Sequence, residues 1–183
     1  MEHFMLEIIK DGQRKVLYHG NCDGQPYSAG IMFLEALRSY DIANFAKKVD
    51  LYRFISPSEI QKTHETIAEL NHCEIDSGLF LEKLLETYPH LSPITGGDIL
   101  GVIMQADEPL GMADDFSEIR NCHFAYSIDL DKNTFSAYSD NERFGVYPLS
   151  NLPSDDAFLA DYDKWGKEYT KRFDEGFYFA QLW

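Results

Sequence analysis

The sequence predicts an α+β fold, an antiparallel sheet made from two β-hairpins and covered by several helices. Two stretches that alternate apolar and polar residues, each interrupted by turn residues, predict the hairpins. Apolar spacings of three and four predict helices between them, which points to a sheet with helices on one face. No stretch reads as a linker, repeat or low-complexity segment. The 183 residues therefore form one globular domain, 1–183, since a single core typically serves ~100–200 residues.

In the first hairpin, residues 3–18, Phe4, Leu6 and Ile8 alternate up to Asp11-Gly12, and Val16-Leu17-Tyr18 returns. Asp-Gly is a strong hairpin signal because both central residues must take positive φ. Ile31, Leu34 and Leu37, with Phe33 widening the stripe, describe a helix. A break near residues 39–41 lets Asp41 cap a further helical stretch carrying Ile42, Phe45 and Ala46. Residues 51–55 read as a strand or a buried extended connection. Ser56-Pro57-Ser58-Glu59 starts a helix that runs to about Leu70. Asp76-Ser77-Gly78 introduces another, stopped before Pro89. The apolar run 99–104 favours helix over strand, with Thr95 or Asp98 near its cap.

Residues 107–118 hold five acids, Pro109 and Gly111 and read as a surface loop. In the second hairpin Phe124, Tyr126, Ile128 and Leu130 alternate, 131–133 turn, and 134–138 return. Ser154-Asp155-Asp156 caps a helix carrying Phe158, Leu159, Tyr162 and Trp165. The aromatic C-terminus, 177–183, reads as an added strand or as a homodimer contact, because a row of exposed aromatics invites association.

Hydrophobic residues make up 44% of the chain, enough for a packed core and opposite to the balance of disordered chains. The formal charge is −15, which argues against direct binding of nucleic acid or of an anionic membrane, since both need a basic surface. A basic protein partner is compatible with it. Cys22, Cys73 and Cys122 are odd in number and lack C-x-x-C spacing, so neither a disulfide framework nor a zinc ribbon is expected. The acidic N-terminus and the absence of an apolar run of ~20 residues predict a cytoplasmic chain without a membrane span.

The chemistry gathers at 19–30, between the first hairpin and the helix from Ile31. Cys22, His19 and Asp23 are the parts of a thiol site: a nucleophile, a base to lower its pKa and a helix N-terminus favouring thiolate. That composition makes a hydrolase or transferase the alternative function. Turn chemistry explains the same residues, with Asn21 and Asp23 making side-chain turns, Gly24 supplying positive φ and Pro26 opening the helix. Between these stands a binding site for a small anionic ligand, with Asn21, Asp23, Gly24 and Ser28 as the contacts and Gly20, Gly24 and Gly30 admitting close approach to a helix N-terminus. The loop lacks the Gly-Lys-Ser/Thr of a P-loop and the βαβ setting of a dinucleotide fingerprint. No cofactor is implied.

Asp23-Gly24-Gln25-Pro26 followed by Gly30 resembles the Tyr-Arg-His-(Trp/Ser)-Asp-Gly-Tyr-Pro motif of a family of small bacterial and phage proteins, which also carry a later aromatic hairpin comparable to residues 124–129. This chain differs from the pattern at His19, Gly20, Asn21, Cys22 and Gln25. The resemblance implies no reaction, because the family has no assigned activity. It counts against a thiol mechanism, since the pattern has no cysteine at position 22.

Asp129, Asp131 and Asn133 mimic the first ligands of a calcium loop, but Thr134 replaces the required glycine and the flanks alternate like strands, so a polar hairpin turn is the expectation. The six histidines show no H-E-x-x-H pattern, and Ser28 and Ser77 lack a hydrolase elbow. The first reading of function is thus a non-enzymatic domain that binds a small ligand or a protein through 19–30. The second is the Cys22/His19 enzyme, and the third is an acidic protein that binds a basic partner.

Overall fold

A computed structural model of the chain describes residues 3–20, 23–54, 58, 65, 98–107, 110–112 and 122–174. Asp11 and Gly12 sit at φ 55° and 68°, the two-residue turn whose twist matches that of its strands. They join β1 (Phe4–Lys10) to β2 (Gln13–Gly20). Two helices follow, α1 (Ile31–Ser39) and α2 (Ile42–Val49), and the break at Asp41 is a cap: its carboxylate accepts the Ala43 N–H at 3.0 Å. β3 (Tyr52–Phe54), α3 (Ile99–Gln105) and β4 (Leu110–Met112) come next. The chain then makes β5 (Phe124–Asp129), β6 (Thr134–Ser139) and β7 (Glu142–Pro148), and closes its described part with α4 (Asp155–Asp174).

The main sheet runs β2-β1-β5-β6-β7 and is mostly antiparallel. Its central pair is the exception, since β1 and β5 run parallel with Phe4 opposite Phe124 and Ile8 opposite Ile128. Each hairpin is antiparallel, as expected, and the parallel pairing falls where the two hairpins meet. Parallel neighbours need a long crossover, and the helical segment between β2 and β5 supplies one.

One face of this sheet is the core. Phe4, Leu6 and Ile8 share it with Tyr18, Phe124, Tyr126, Ile128 and Phe135, all buried, as period-two alternation requires. Phe33, Leu34 and Leu37 of α1, Phe45 and Val49 of α2, Ile99 and Ile103 of α3 and Phe158 of α4 fill the space above it. The second hairpin extends into a meander that the sequence reading lacked. Asp140 and Asn141, at φ 49° and 65°, turn the chain into β7. One further expectation changes. The stretch read as an acidic surface loop contains β4, paired in parallel with β3. Asp98 stands at the N-cap of α3, as expected, without a capping side-chain hydrogen bond.

Polar side chains tie the helices together. Lys10, at the end of β1, donates to the Ala46 carbonyl near the C-terminus of α2 at 3.0 Å. Arg38 in the last turn of α1 pairs with Asp155 in the first turn of α4, which places each charge against the favourable end of its helix dipole. Among the described residues, no helix is long and apolar enough to cross a membrane. The helices expected over 56–70 and 76–88 lie outside the described residues, apart from Ser58 and Glu65, which are helical. The aromatic segment 177–183 lies outside them altogether.

Candidate functional site

The corner begins where β2 ends. His19 pairs with Met5 across the hairpin, one residue out of phase with the core-facing Tyr18 and Gly20. Its ring stacks on that of His3, centroids 5.1 Å apart and planes 19° from parallel. Asn21 and Cys22 lie outside the described residues.

Asp23 is exposed, and its carboxylate accepts the Gln25 N–H at 3.2 Å, closing an Asx turn. Gln25 is extended (φ −64°, ψ 154°), as the residue before a proline must be. Pro26 then opens a wide, π-type turn over Pro26–Gly30, in which the N–H groups of Ser28 and Gly30 both reach the Gln25 carbonyl, at 3.0 and 3.4 Å. The Ile31 N–H is taken by the carbonyls of Pro26 and Ser28. The backbone donors of this turn are thus largely spent inside it.

The glycines are explained by packing. A Cβ built on Gly24 would lie 2.7 Å from Cβ of Phe4 and 3.1 Å from the His3 carbonyl. One on Gly30 would lie 2.8 Å from the Phe158 ring and 3.2 Å from the Tyr126 hydroxyl. That hydroxyl donates to the Gly24 carbonyl at 2.8 Å in a buried setting. The corner is therefore fastened at both ends to the aromatic core, where Tyr126 packs edge-on against Phe4 and Phe33. Ser28 is half-buried, whereas Tyr27 remains 57% exposed.

Of the expected site residues, His19, Asp23, Gly24 and Ser28 share this end of the hairpin, but Gly24 faces packed side chains. Three participants were not among the candidate site residues: His3, Tyr27 and Tyr126. Tyr126 had a signal, because a tyrosine in phase with a buried strand face needs a partner for its hydroxyl.

The residues of the calcium-like turn are engaged separately. Asp131 accepts the N–H groups of Asp11 and Gly12 at 2.8 and 2.7 Å, clasping the two hairpin turns together. Asp129 is buried and accepts from both the backbone and the ammonium of Lys132. Burial pushes its carboxyl up, but those hydrogen bonds and the Lys132 charge outweigh it, so the group titrates below its ordinary value. Asn133 is exposed at φ 55°, completing the turn. Among the described residues, no three His, Cys, Asp or Glu side chains gather in a way that could hold a metal ion. His123 pairs with Asp140 at 3.0 Å, and His64, His72 and His90 lie outside the described residues.

No protein-family model, curated protein or solved structure matches this chain significantly.

Proposed function

We propose that the chain is a non-enzymatic interaction domain whose corner at 19–30 docks a protein partner. The observation that carries this reading is Tyr27, 57% exposed on a turn fastened to the core through Gly24 and Gly30. A rigid, half-exposed tyrosine supplies contact area at little entropic cost, and tyrosine is enriched among the residues that dominate interface energies. A small anion is the weaker candidate here, because the N–H groups of Ser28, Gly30 and Ile31 already have carbonyl acceptors. Asp23 beside Tyr27, on a chain of net charge −15, favours a partner with basic residues at the contact.

The test is a photo-crosslinking amino acid placed at position 27 of the full chain, in the cells the protein comes from. The expected result is a discrete adduct that is reduced at high salt and lost in Asp23→Lys. Adducts no more discrete than those from position 156, exposed on α4, overturn the proposal.

A further inference from the structure

The sequence holds two Asp-Gly dipeptides, Asp11-Gly12 and Asp23-Gly24, and in such a pair an aspartate readily reacts with its own backbone. The glycine nitrogen attacks Cγ of the aspartate, one water leaves, and a five-membered succinimide forms. Hydrolysis returns the water at either carbonyl. Opening on one side restores aspartate, and opening on the other leaves the main chain running through the β-carbonyl as isoaspartate. No oxidant or reductant takes part. The reaction needs a glycine nitrogen able to swing onto the carboxyl carbon, with no side chain at the second residue to obstruct it.

Asp11-Gly12 has the composition and the access. Both residues are exposed, and a Cβ on Gly12 would meet nothing within 4 Å. What it lacks is the freedom. β1 and β5 pair in parallel up to Ile9 opposite Asp129, and the Leu130 N–H donates to the Ile9 carbonyl at 2.9 Å. The turn of the second hairpin is thereby carried beside the turn of the first. Asp131 then takes the Asp11 N–H on one carboxylate oxygen at 2.8 Å and the Gly12 N–H on the other at 2.7 Å. Successive N–H groups of a turn form a concavity suited to an anion, and charge-assisted bonds of this length are the stronger kind. A carboxylate is too weak a base to remove an amide proton, so Asp131 holds the Gly12 nitrogen rather than activating it.

Asp23-Gly24 supplies an internal comparison. There the Asp23 carboxylate is turned to the Gln25 N–H, and Gly24 lies against Phe4 with its carbonyl bonded to Tyr126. None of those contacts involves Asp131.

We propose that Asp11-Gly12 is a latent isoaspartyl site and that Asp131, from the other hairpin, keeps it closed. Isoaspartate adds one methylene to the main chain at this position. A two-residue turn fixes the register of its hairpin, so the longer turn dislocates β2, the edge strand of the sheet, from β1. The exposed product belongs to the substrate class of the carboxyl methyltransferases that repair isoaspartyl peptides. This site is independent of the reading of the 19–30 corner. The bland account gives Asp131 a share of the stability and nothing more, and under it no change is confined to residue 11.

The full chain is aged at neutral pH below its melting temperature, both folded and, as the unrestrained reference, unfolded in urea. Peptide mapping that separates aspartyl from isoaspartyl forms follows residues 11 and 23. Isoaspartate at residue 11 is expected to accumulate at least tenfold more slowly in the folded parent than in urea. In the folded chain, Asp131→Ala raises that rate at least threefold, without a matching rise at residue 23. Asp131→Asn, which turns one acceptor into a donor at nearly the same volume, repeats the test should the alanine variant fail to fold. A folded parent less than tenfold slower than the unfolded chain overturns the proposal. So does a rise below threefold in the variant, or a rise at residue 23 as large as that at residue 11.

Discussion

The hydroxyl of Tyr126 donates a 2.8 Å hydrogen bond to the carbonyl of Gly24, joining β5, the central strand of the sheet, to the corner that follows the first hairpin. The two residues are 102 positions apart in the chain. This bond and the close contacts around it determine which parts of the corner are scaffold and which remain for recognition.

Tyr126→Phe keeps the ring in its aromatic cluster and removes only the donor. An unsatisfied buried carbonyl costs about 1–3 kcal/mol, so the denaturant midpoint falls by that equivalent with the slope unchanged. Amide exchange in residues 25–31 accelerates in the same variant. Unchanged exchange there shows that the corner is held by something else.

Two glycine substitutions are expected to have opposite signs. Gly30→Ala drives a methyl to within 2.8 Å of the Phe158 ring, and overpacking of this kind costs about 1–3 kcal/mol. Gly166, inside α4, has open space where its Cβ would stand, and replacing a mid-helix glycine with alanine gains about 0.5–1 kcal/mol. Thermal melts of the two variants, read against the parent chain, check the pair. Equal effects refute the packing account of Gly30.

Acid should weaken the turn at residues 130–133. The folded carboxyl of Asp129 titrates below its ordinary value of 3.8, so its contribution to stability is present above that value and disappears as pH falls through the folded value. The stability gap between the parent and Asp129→Asn is therefore constant near neutrality and closes only under acid conditions. A gap that widens on acidification contradicts the assignment of Lys132 as its partner.

Cys22 should behave as an ordinary thiol under the proposed function. Iodoacetamide labelling near neutral pH, mapped peptide by peptide, is expected to proceed at the rate of an ordinary, unactivated thiol. Rapid alkylation of Cys22 near neutral pH favours the hydrolase or transferase alternative instead.

Removing the Asp131 carboxylate frees two backbone donors. Asp131→Ala is expected to cost roughly 1 kcal/mol, because both hydrogen bonds are solvent-exposed and each is worth little net. Loosening should show as faster exchange of the Asp11 and Gly12 amides.

Local signals in the sequence were read correctly where they were strong. Asp11-Gly12 gave its hairpin, Asp41 its cap and Ser154 its helix start, because each works through atoms only a few residues apart. β7 escaped because Asp140-Asn141 takes positive φ without a glycine and the bulge at Phe144 breaks the alternation that marks a strand. At the candidate site, the exposed Asp23 and its Asx turn were legible. The burial of Gly24 and Gly30 was not, because Phe4, Tyr126 and Phe158 reach them from distant parts of the chain.

By itself the sequence determined the α+β class, the two hairpins and the helices beside the corner, since period, cap and turn residue act over one or two turns of chain. Only the tertiary structure decided that β1 and β5 run parallel, that the glycines of the corner face aromatic rings, and that Asp131 reaches the turn of the other hairpin. Those outcomes depend on which surfaces pack against one another once the chain has crossed the sheet, and no local pattern encodes that choice.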